Sequence, residues 1–425
     1  MRRAKRLCAA LLAALALAGC SGGGFPGRNV EELLRAPQPS AQQSAVQAAL
    51  NGYLGETLQL KYPRGGDEMA PFLFADFDGD GVGEAAVLYT TESKGQNVHL
   101  AVLEPGEDAW QVACEAEGLS TEAASVELVH MPAGGFQLVV GFANANLAEK
   151  YLVIYTYADG ALHSDYQQAY EQYLAADLNG DGAVELALVP TPAQPGTPAS
   201  LQLLLAREGK LAPVQTVELH EAIAKCTGLA TTYYGKRRGL VVDGVLSAGG
   251  NTNEVLCLLD DRLYAWPMGR VDEVVAASTR TLQNLPASDL TGLGVVCVPV
   301  VTKSLRTEKS AGRLYFVEWH NYLAPDTLAQ WGVFDATLGV FLRLPLSWRD
   351  AVSVSDGTLP DSWQLRETET DELLFTARTI AAGENSGNYI ELARAGESRM
   401  VAFFAENCPA ADAALITRGV RVLPG

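Results

Sequence analysis

Acidic side chains recur at fixed spacing in one short, glycine-rich segment of the chain. Positions 1, 3, 5, 7 and 9 of this segment are Asp76, Asp78, Asp80, Val82 and Glu84. Calcium takes roughly six to eight oxygen ligands, which several carboxylates and one backbone carbonyl can supply from a tight turn. Gly79 and Gly81 permit such a turn. The spacing therefore predicts a calcium site, with the backbone carbonyl of Val82 among its ligands.

The same pattern returns about a hundred residues later. Its positions 1, 3, 5, 7 and 9 are Asp177, Asn179, Asp181, Ala183 and Glu185. An EF-hand would need a bidentate glutamate at position 12, where the two segments carry Val87 and Leu188. Two copies with one spacing argue against chance, so we predict two calcium ions with a structural role, outside an EF-hand.

Short apolar runs flank both acidic segments and must position them. They cover residues 72–74 and 85–89 around the first segment and 174–176 and 186–189 around the second. Their length and the glycines that bound them are typical of strands rather than helices. Each acidic segment is therefore predicted to join the two strands of a buried hairpin.

Further copies of the unit of a loop and its following strand can be found from the residue at position 9. An apolar strand follows Glu84, Gln137, Glu185, Gly239 and Cys297, about every 50 residues. The segment from Asp289 to Cys297 keeps the glycines but lacks side-chain oxygens at positions 5 and 9. It is therefore predicted to bind no calcium.

A second pair of strands follows each of these hairpins, and four strands in about 50 residues are typical of one β-propeller blade. We expect an all-β fold, a propeller of five to seven four-stranded blades, over residues 68–345. Residues 20–67 are predicted to form a tether and one or two short helices, because residues 30–58 show helical spacing at 30–34 and at 44–54. Residues 346–425 are predicted to form a small α+β module, with strands at 374–380, 389–395, 400–404 and 420–423 and a helix at 410–415.

The acidic loops and their following strands resemble FG-GAP and VCBS-type repeats of extracellular β-propellers, over residues 68–345. The chain also resembles repeat-bearing lipoproteins of Gram-positive gut bacteria. This resemblance implies two sites. They consist of Asp76, Asp78, Asp80 and Glu84, and of Asp177, Asn179, Asp181 and Glu185.

The N-terminus carries an export pattern. Four basic residues precede an apolar run at 7–17 that is too short to span a bilayer. The run ends in Leu17-Ala18-Gly19-Cys20, which resembles the bacterial lipobox. Residues 1–19 are thus predicted to be a signal peptide, and Cys20 the lipidated residue that holds the protein on the extracytoplasmic face of the cell membrane. An ordinary secretory signal with a chance cysteine is the alternative.

The net charge limits the classes of partner, and the cysteine spacing argues against a metal site. The chain carries a net charge of −19, which repels nucleic acid and anionic headgroups and suits cations. The cysteines beyond Cys20 show no metal-binding spacing and are predicted to be mostly buried: Cys114, Cys226, Cys257, Cys297 and Cys408. One long-range disulfide among them stays open, because export would permit it.

Few residues suggest catalysis. The five histidines share no metal spacing and accompany no nucleophile elbow. The expected function is therefore non-enzymatic binding of a protein or a glycan at the cell surface. The alternatives are a glycosidase or lyase on the propeller and a scaffold for envelope complexes.

Two further features could contact a partner. The tyrosines between 151 and 173 and the aromatic residues between 319 and 331 could stack on sugars. Filling of the gaps between blades or covering of strand edges explains them more simply. Residues 233–238 form a basic hairpin tip in an acidic protein. This tip is a candidate contact.

Overall fold

Antiparallel strands dominate the described residues, which are 40–194, 196–305 and 313–423 of a computed structural model. The predicted signal peptide, Cys20 and the helical pattern at 30–34 lie outside these residues. Where the structure describes the chain, it has no helix with the length and apolar character needed to cross a membrane.

Three sheets, called blades 1 to 3, come first along the chain. Blade 1 comprises β1 (Gln59–Leu60), β2 (Phe72–Ala75), β3 (Glu84–Thr90), β4 (His99–Pro105) and β5 (Trp110–Glu117). Blade 2 comprises β6 (Glu122–His130), β7 (Phe136–Ala143), β8 (Lys150–Ala158) and the first part of β9 (Ala161–Ala176). Blade 3 comprises the second part of β9, β10 (Glu185–Pro190), β11 (Ser200–Arg207) and β12 (Lys210–Glu218). One long strand, β9, therefore belongs to two blades.

Three more sheets, blades 4 to 6, follow. Blade 4 comprises β13 (Ile223–Tyr234), β14 (Arg237–Leu246), β15 (Asn251–Leu259) and β16 (Arg262–Ala265). Blade 5 comprises β17 (Val298–Leu305), β18 (Leu314–His320), β19 (Leu328–Asp335) and β20 (Val340–Arg343). Blade 6 comprises β21 (Val352–Asp356), β22 (Ser362–Glu367), β23 (Leu373–Ala381), β24 (Ile390–Ala395) and β25 (Ser398–Phe404). The last strand, β26 (Val420–Val422), returns to pair with β20.

The predicted all-β fold of antiparallel blades is confirmed in the described residues. Blades 1 to 5 belong to the region where five to seven were expected, whereas blade 6 lies in residues 346–425, for which an α+β module was expected. The position-9 residues mark the blades well. Glu84 and Glu185 are the first residues of β3 and β10, and Gln137 and Gly239 lie near the starts of β7 and β14. Cys297 directly precedes β17.

Consecutive blades pack face to face through apolar side chains. In blade 1, Leu88 and Val102 contact the core shared with blade 2, whereas Val87 and Ala101 face a helix. Similar cores join blades 2 and 3, blades 3 and 4, blades 4 and 5, and blades 5 and 6. Because both faces of each inner strand are covered, β3 is buried along its whole length and reads as a continuous apolar run.

Within residues 40–194, 196–305 and 313–423, three helices and one 3-10 turn accompany the sheets. They are α1 (Ala41–Leu54), α2 (Val271–Ser278), α3 (Ala410–Arg418) and the turn Leu346–Trp348. A capping box between Ser40 and Gln43 begins α1, and Gly55 ends it with a positive φ of 69°. The helix covers blade 1 with its buried Val46 and Leu50. One helix within 30–58 agrees with the sequence pattern, whereas α2 was not predicted.

A single apolar core crosses residue 345. Phe316 and Trp331 of blade 5 pack in it with Trp363 and Phe375 of blade 6 and with Ile416 of α3. The predicted strands at 374–380, 389–395 and 400–404 correspond to β23, β24 and β25, and the predicted helix corresponds to α3. Two unpredicted strands, β21 and β22, complete their sheet. The domain limits at 67 and 345 stay predictions.

The cysteines agree with the interpretation as small apolar residues. Cys226, Cys257, Cys297 and Cys408 are buried, Cys114 is half-buried, and all five are free thiols. Burial raises the pKa of the Cys226 and Cys297 thiols to about 12, which keeps both protonated at neutral pH.

Candidate calcium centres

The acidic segments occupy equivalent places in the fold. Loop 1 (residues 76–84) joins β2 to β3 in blade 1, and loop 2 (residues 177–185) joins β9 to β10 in blade 3. The degenerate segment, loop 3 (residues 289–297), precedes β17 of blade 5. The three loops therefore belong to every second blade.

One hydrogen-bond pattern holds all three loops. The aspartate at position 1 accepts N–H groups from the glycines at positions 4 and 6. In loop 1, Gly79 N lies 2.8 Å from Asp76 Oδ1 and Gly81 N lies 3.0 Å from Asp76 Oδ2. Both glycines have positive φ, 78° and 91°, which only glycine adopts without strain. Asp177 of loop 2 and Asp289 of loop 3 accept the corresponding bonds.

Loop 1 gathers its four acidic side chains around one point. One ligand oxygen from each of Asp76, Asp78, Asp80 and Glu84 lies within 4.8 Å of the others. Calcium–oxygen bonds of about 2.4 Å place opposite ligands about 4.8 Å apart, so the four oxygens fit around a calcium ion. Asp78 and Asp80 are exposed and Glu84 is buried, which leaves the site open to solvent on one side. Val82 stands at position 7, and its N–H donates to Asp80 Oδ1 at 2.7 Å.

Glu84 forms the floor of loop 1. Its side chain is 3% exposed, and its Oε2 accepts the N–H of Phe77 at 2.7 Å. Burial and, to a smaller extent, the carboxylates of Asp78, Asp76 and Asp80 outweigh the hydrogen bond from Phe77 and raise the pKa of Glu84 to about 7. A bound cation would remove this repulsion, so the local charge fits a metal ion.

Loop 2 repeats the arrangement with one difference. Glu185 Oε2 accepts the N–H of Leu178 at 2.7 Å, and burial raises the pKa of Glu185 to about 7. However, Asn179 Nδ2 donates to Asp181 Oδ2 at 3.0 Å. Among the described residues, the acids of loop 2 do not gather within 4.8 Å as those of loop 1 do. Calcium binding here requires Asn179 to turn its amide oxygen inward, and Ala183 stands at position 7 as Val82 does.

Loop 3 shows that the turn forms without a full ligand set. Burial acts to raise the pKa of Asp289, but hydrogen bonds from Thr291, Gly294 and Gly292 bring this pKa below its usual range. Positions 5 and 9 are Leu293 and the buried Cys297, which offer no carboxylate. The residue pattern therefore still argues against calcium in loop 3.

Comparison with known proteins shows distant likeness to solved structures. No protein-family model and no curated protein matches the chain. An exotype rhamnogalacturonan lyase is 12% identical, with a TM-score of 0.33, over 83% of this chain and 75% of the lyase. A Bacillus licheniformis rhamnogalacturonan lyase is 11% identical, with a TM-score of 0.31, over 81% and 74%. TolB from Acinetobacter baumannii is 9% identical, with a TM-score of 0.26, over 61% and 55%. At these TM-scores nothing about function follows from the likeness.

The basic hairpin tip at 233–238 contacts loops 2 and 3 at its two ends, while residues 234–237 are exposed. Arg238 lies against loop 2, because a Cβ on Gly180 would be 3.1 Å from its Nε. Tyr233 donates its hydroxyl to the carbonyl of Leu293 in loop 3 at 2.9 Å. The hairpin between β13 and β14 thus separates loop 2 from loop 3, and these contacts occupy two of the residues proposed to meet a partner.

Most of the aromatic residues singled out in the sequence belong to the cores. Tyr155, Tyr157 and Tyr170 are buried, as are Trp319 and Trp331. These five rings therefore offer little surface to a sugar, in agreement with the simpler interpretation.

Calcium affinity should depend on pH through Glu84 and Glu185. Both carboxyls, with a pKa of about 7, must lose a proton before they bind an ion. We expect affinity to fall about tenfold between pH 8 and pH 6, measured by calorimetry in buffers of different ionisation enthalpy.

The calcium-free protein should show the opposite trend in stability. A glutamate whose pKa is raised in the folded state destabilises that state as pH rises from about 4.5 to 7. Glu84→Gln should abolish the proton release that accompanies calcium binding at loop 1, whereas calcium binding at loop 2 should still release a proton from Glu185.

Equal calcium affinity of the wild-type protein at pH 6 and pH 8 would contradict this coupling of calcium binding to proton release.

Proposed function

We propose that the protein is a non-enzymatic, calcium-stabilised β-propeller that binds a protein or a glycan at the cell surface. The convergence of four carboxylate oxygens in loop 1 around the buried Glu84 carries the proposal. The role of the ion is structural. Loop 1 packs on the turn between β6 and β7, where Phe136 N donates to Phe77 O at 3.0 Å, so an ordered loop supports the neighbouring blade.

Membrane attachment through Cys20 is part of this proposal. It is supported by the lipobox-like sequence at 17–20. Cys20→Ala should move the protein from the membrane fraction to the soluble fraction or leave its signal uncleaved, and should abolish labelling with a palmitate analogue. A variant that still fractionates with membranes and still takes up label would refute the anchor.

The contacts of the histidines favour binding over catalysis. His320 lies 3.2 Å from Thr327 Oγ1 and 3.2 Å from Glu318 Oε2, and it stacks on Tyr322. Burial lowers the pKa of His320. Where the structure describes the chain, no histidine is hydrogen-bonded to a serine or a cysteine, the usual nucleophiles that a histidine activates.

Partner binding should depend on the fold rather than on the ion itself. The protein would be immobilised and exposed to detergent-solubilised envelope and to a glycan array. Asp80→Ala removes one ligand of loop 1, so it should bind one calcium ion where the wild type binds two, with affinity for the captured partner nearly unchanged.

The comparison must be made at a temperature where Asp80→Ala is still folded. Leu293→Ala in loop 3 is the matched control, because Leu293 is exposed and stands at the position equivalent to Asp80 in a loop that lacks the ligand set. Loss of the partner by a folded Asp80→Ala protein would place the calcium within the binding surface and overturn the structural role.

A further inference from the structure

A cavity of about 500 Å³ lies where α3 and the paired strands β20 and β26 meet loop 3. Three arginines line it, Arg343 from β20, Arg418 from α3 and Arg421 from β26. Gln330 and Thr291 add an amide and a hydroxyl, and apolar side chains of α3 form one wall. The lining contains no acidic residue.

This set of cations is unusual in a chain with a net charge of −19. Most of the other described arginines pair with carboxylates, for example Arg280 with Asp243, Arg313 with Asp335, and Arg349 with Glu318. Among the residues that the structure describes, Arg343, Arg418 and Arg421 form no ion pair. Three unpaired guanidinium groups around one cavity repel one another, and an anion would relieve that repulsion.

The fold fixes two of the arginines in place. Arg421 donates from Nε to the carbonyl of Leu290 at 2.7 Å and from Nη1 to the carbonyls of Arg418 and Val420 at 3.0 and 2.7 Å. The stem of Arg343 lies so close to Gly419 that a Cβ there would be 2.6 Å from Arg343 Cβ. In the β20–β26 register Arg421 is opposite Phe341, two residues before Arg343, so both arginines stand on one face.

Gln330 adds a polar group to the cavity. Its side chain is 8% exposed and lines the cavity. Its amide atoms do not belong to the fully buried polar atoms without a partner in the described part of the chain, so the amide can bond to a hydroxyl group in the cavity. The volume also exceeds that of a single ion and is in the range of small-molecule sites.

We propose that this cavity binds a sugar that carries an oxyanion, either the carboxylate of a uronic acid or a phosphate. The guanidinium groups of Arg343, Arg418 and Arg421 hold the oxyanion, and Gln330 and Thr291 bond to the hydroxyls of the ring. The inference rests on the proposed function in one respect, since it identifies the class of glycan that the propeller recognises.

Calorimetry on the calcium-loaded protein tests the site with four probes: glucuronate, glucose 6-phosphate, inorganic phosphate and glucose. At least one of the two anionic sugars should bind, more tightly than inorganic phosphate and glucose, and binding should weaken with salt. The anionic sugar that binds with the higher affinity identifies the oxyanion. Arg418→Ala and Arg343→Gln should each lower the affinity for that sugar about tenfold. Arg207→Ala, which breaks an exposed pair with Asp261, is the matched control and should bind as the wild type does.

Absence of sugar binding in the wild type, or equal binding by the wild type and both folded variants, would overturn the cavity assignment. Inorganic phosphate that binds as tightly as both anionic sugars would overturn it too, because the ring would then contribute nothing. Capture of envelope components or array glycans reports on the proposed function separately. If capture persists without binding of these sugars, the cavity assignment fails and the function stands. If sugars bind and nothing at the surface is captured, the function fails instead.

Discussion

The double variant Asp76→Ala with Asp177→Ala is expected to melt at one temperature with and without calcium, whereas the wild type loses stability on chelation. For a dissociation constant of about 10 µM and about 1 mM calcium, each site adds about 2.7 kcal/mol. Two such sites raise Tm by an amount on the order of 10 °C in a protein of this size. Differential scanning calorimetry with calcium and with a chelator measures the shift.

The third loop supplies the control for this experiment. Asp289→Ala removes hydrogen bonds from Thr291, Gly292 and Gly294 but no predicted calcium ligand. It should lower Tm equally in calcium and in chelator. If a chelator leaves the Tm of the wild-type protein unchanged, the calcium assignment is refuted, whatever the variants show.

Removing residues 346–425 is expected to leave a chain that cannot fold. Phe316, Trp331 and Leu342 of blade 5 would lose the core that blade 6 and α3 complete, and β20 would lose its partner β26. Burial of one such side chain contributes about 1.5–3 kcal/mol, so exposing several exceeds the roughly 5–15 kcal/mol that stabilises a typical domain. Soluble expression and the cooperativity of unfolding by circular dichroism measure the effect.

Point substitutions in the full-length chain distinguish the effect of lost core packing from the effect of truncation. Trp363→Ala, at a side chain 2% exposed, should cost about 3–5 kcal/mol. Phe403→Ala, in the same sheet but 44% exposed, should cost much less. If residues 20–345 alone gave a soluble protein with cooperative unfolding, the C-terminal part would be a separate module, as the sequence pattern suggested.

The local chemistry of the loops explains why they could be located from the sequence. Asp76 and Asp177 need glycines three and five residues later to donate their N–H groups, so ligand and turn signals lie within nine residues. The flanking strands are buried on both faces and are correspondingly apolar. The first five blades follow from the same period, whereas blade 6 lies beyond the last position-9 residue, Cys297.

Features that depend on pairing between segments far apart in the sequence could not be located from local sequence patterns. The polar strand β21 is defined by pairing with β22, whose Trp363 fills the core across residue 345. The arginine-lined cavity exists because β26 pairs with β20, which brings Arg421 near Arg343 across a long stretch of sequence. Only the basic residues close together near the C-terminus, Arg418 and Arg421, hint at it.

The placement of the three loops in blades 1, 3 and 5 bears on how the chain can be divided. Loops 1 and 2 each pack on the blade that follows their own, since Gly79 abuts Gly135 of blade 2 and Gly180 abuts Arg238 of blade 4. The shared strand β9 also prevents excision of blade 2 or blade 3 alone without cutting a strand. A fragment that keeps loop 1 or loop 2 in its native surroundings must therefore contain both the blade that carries the loop and the next blade.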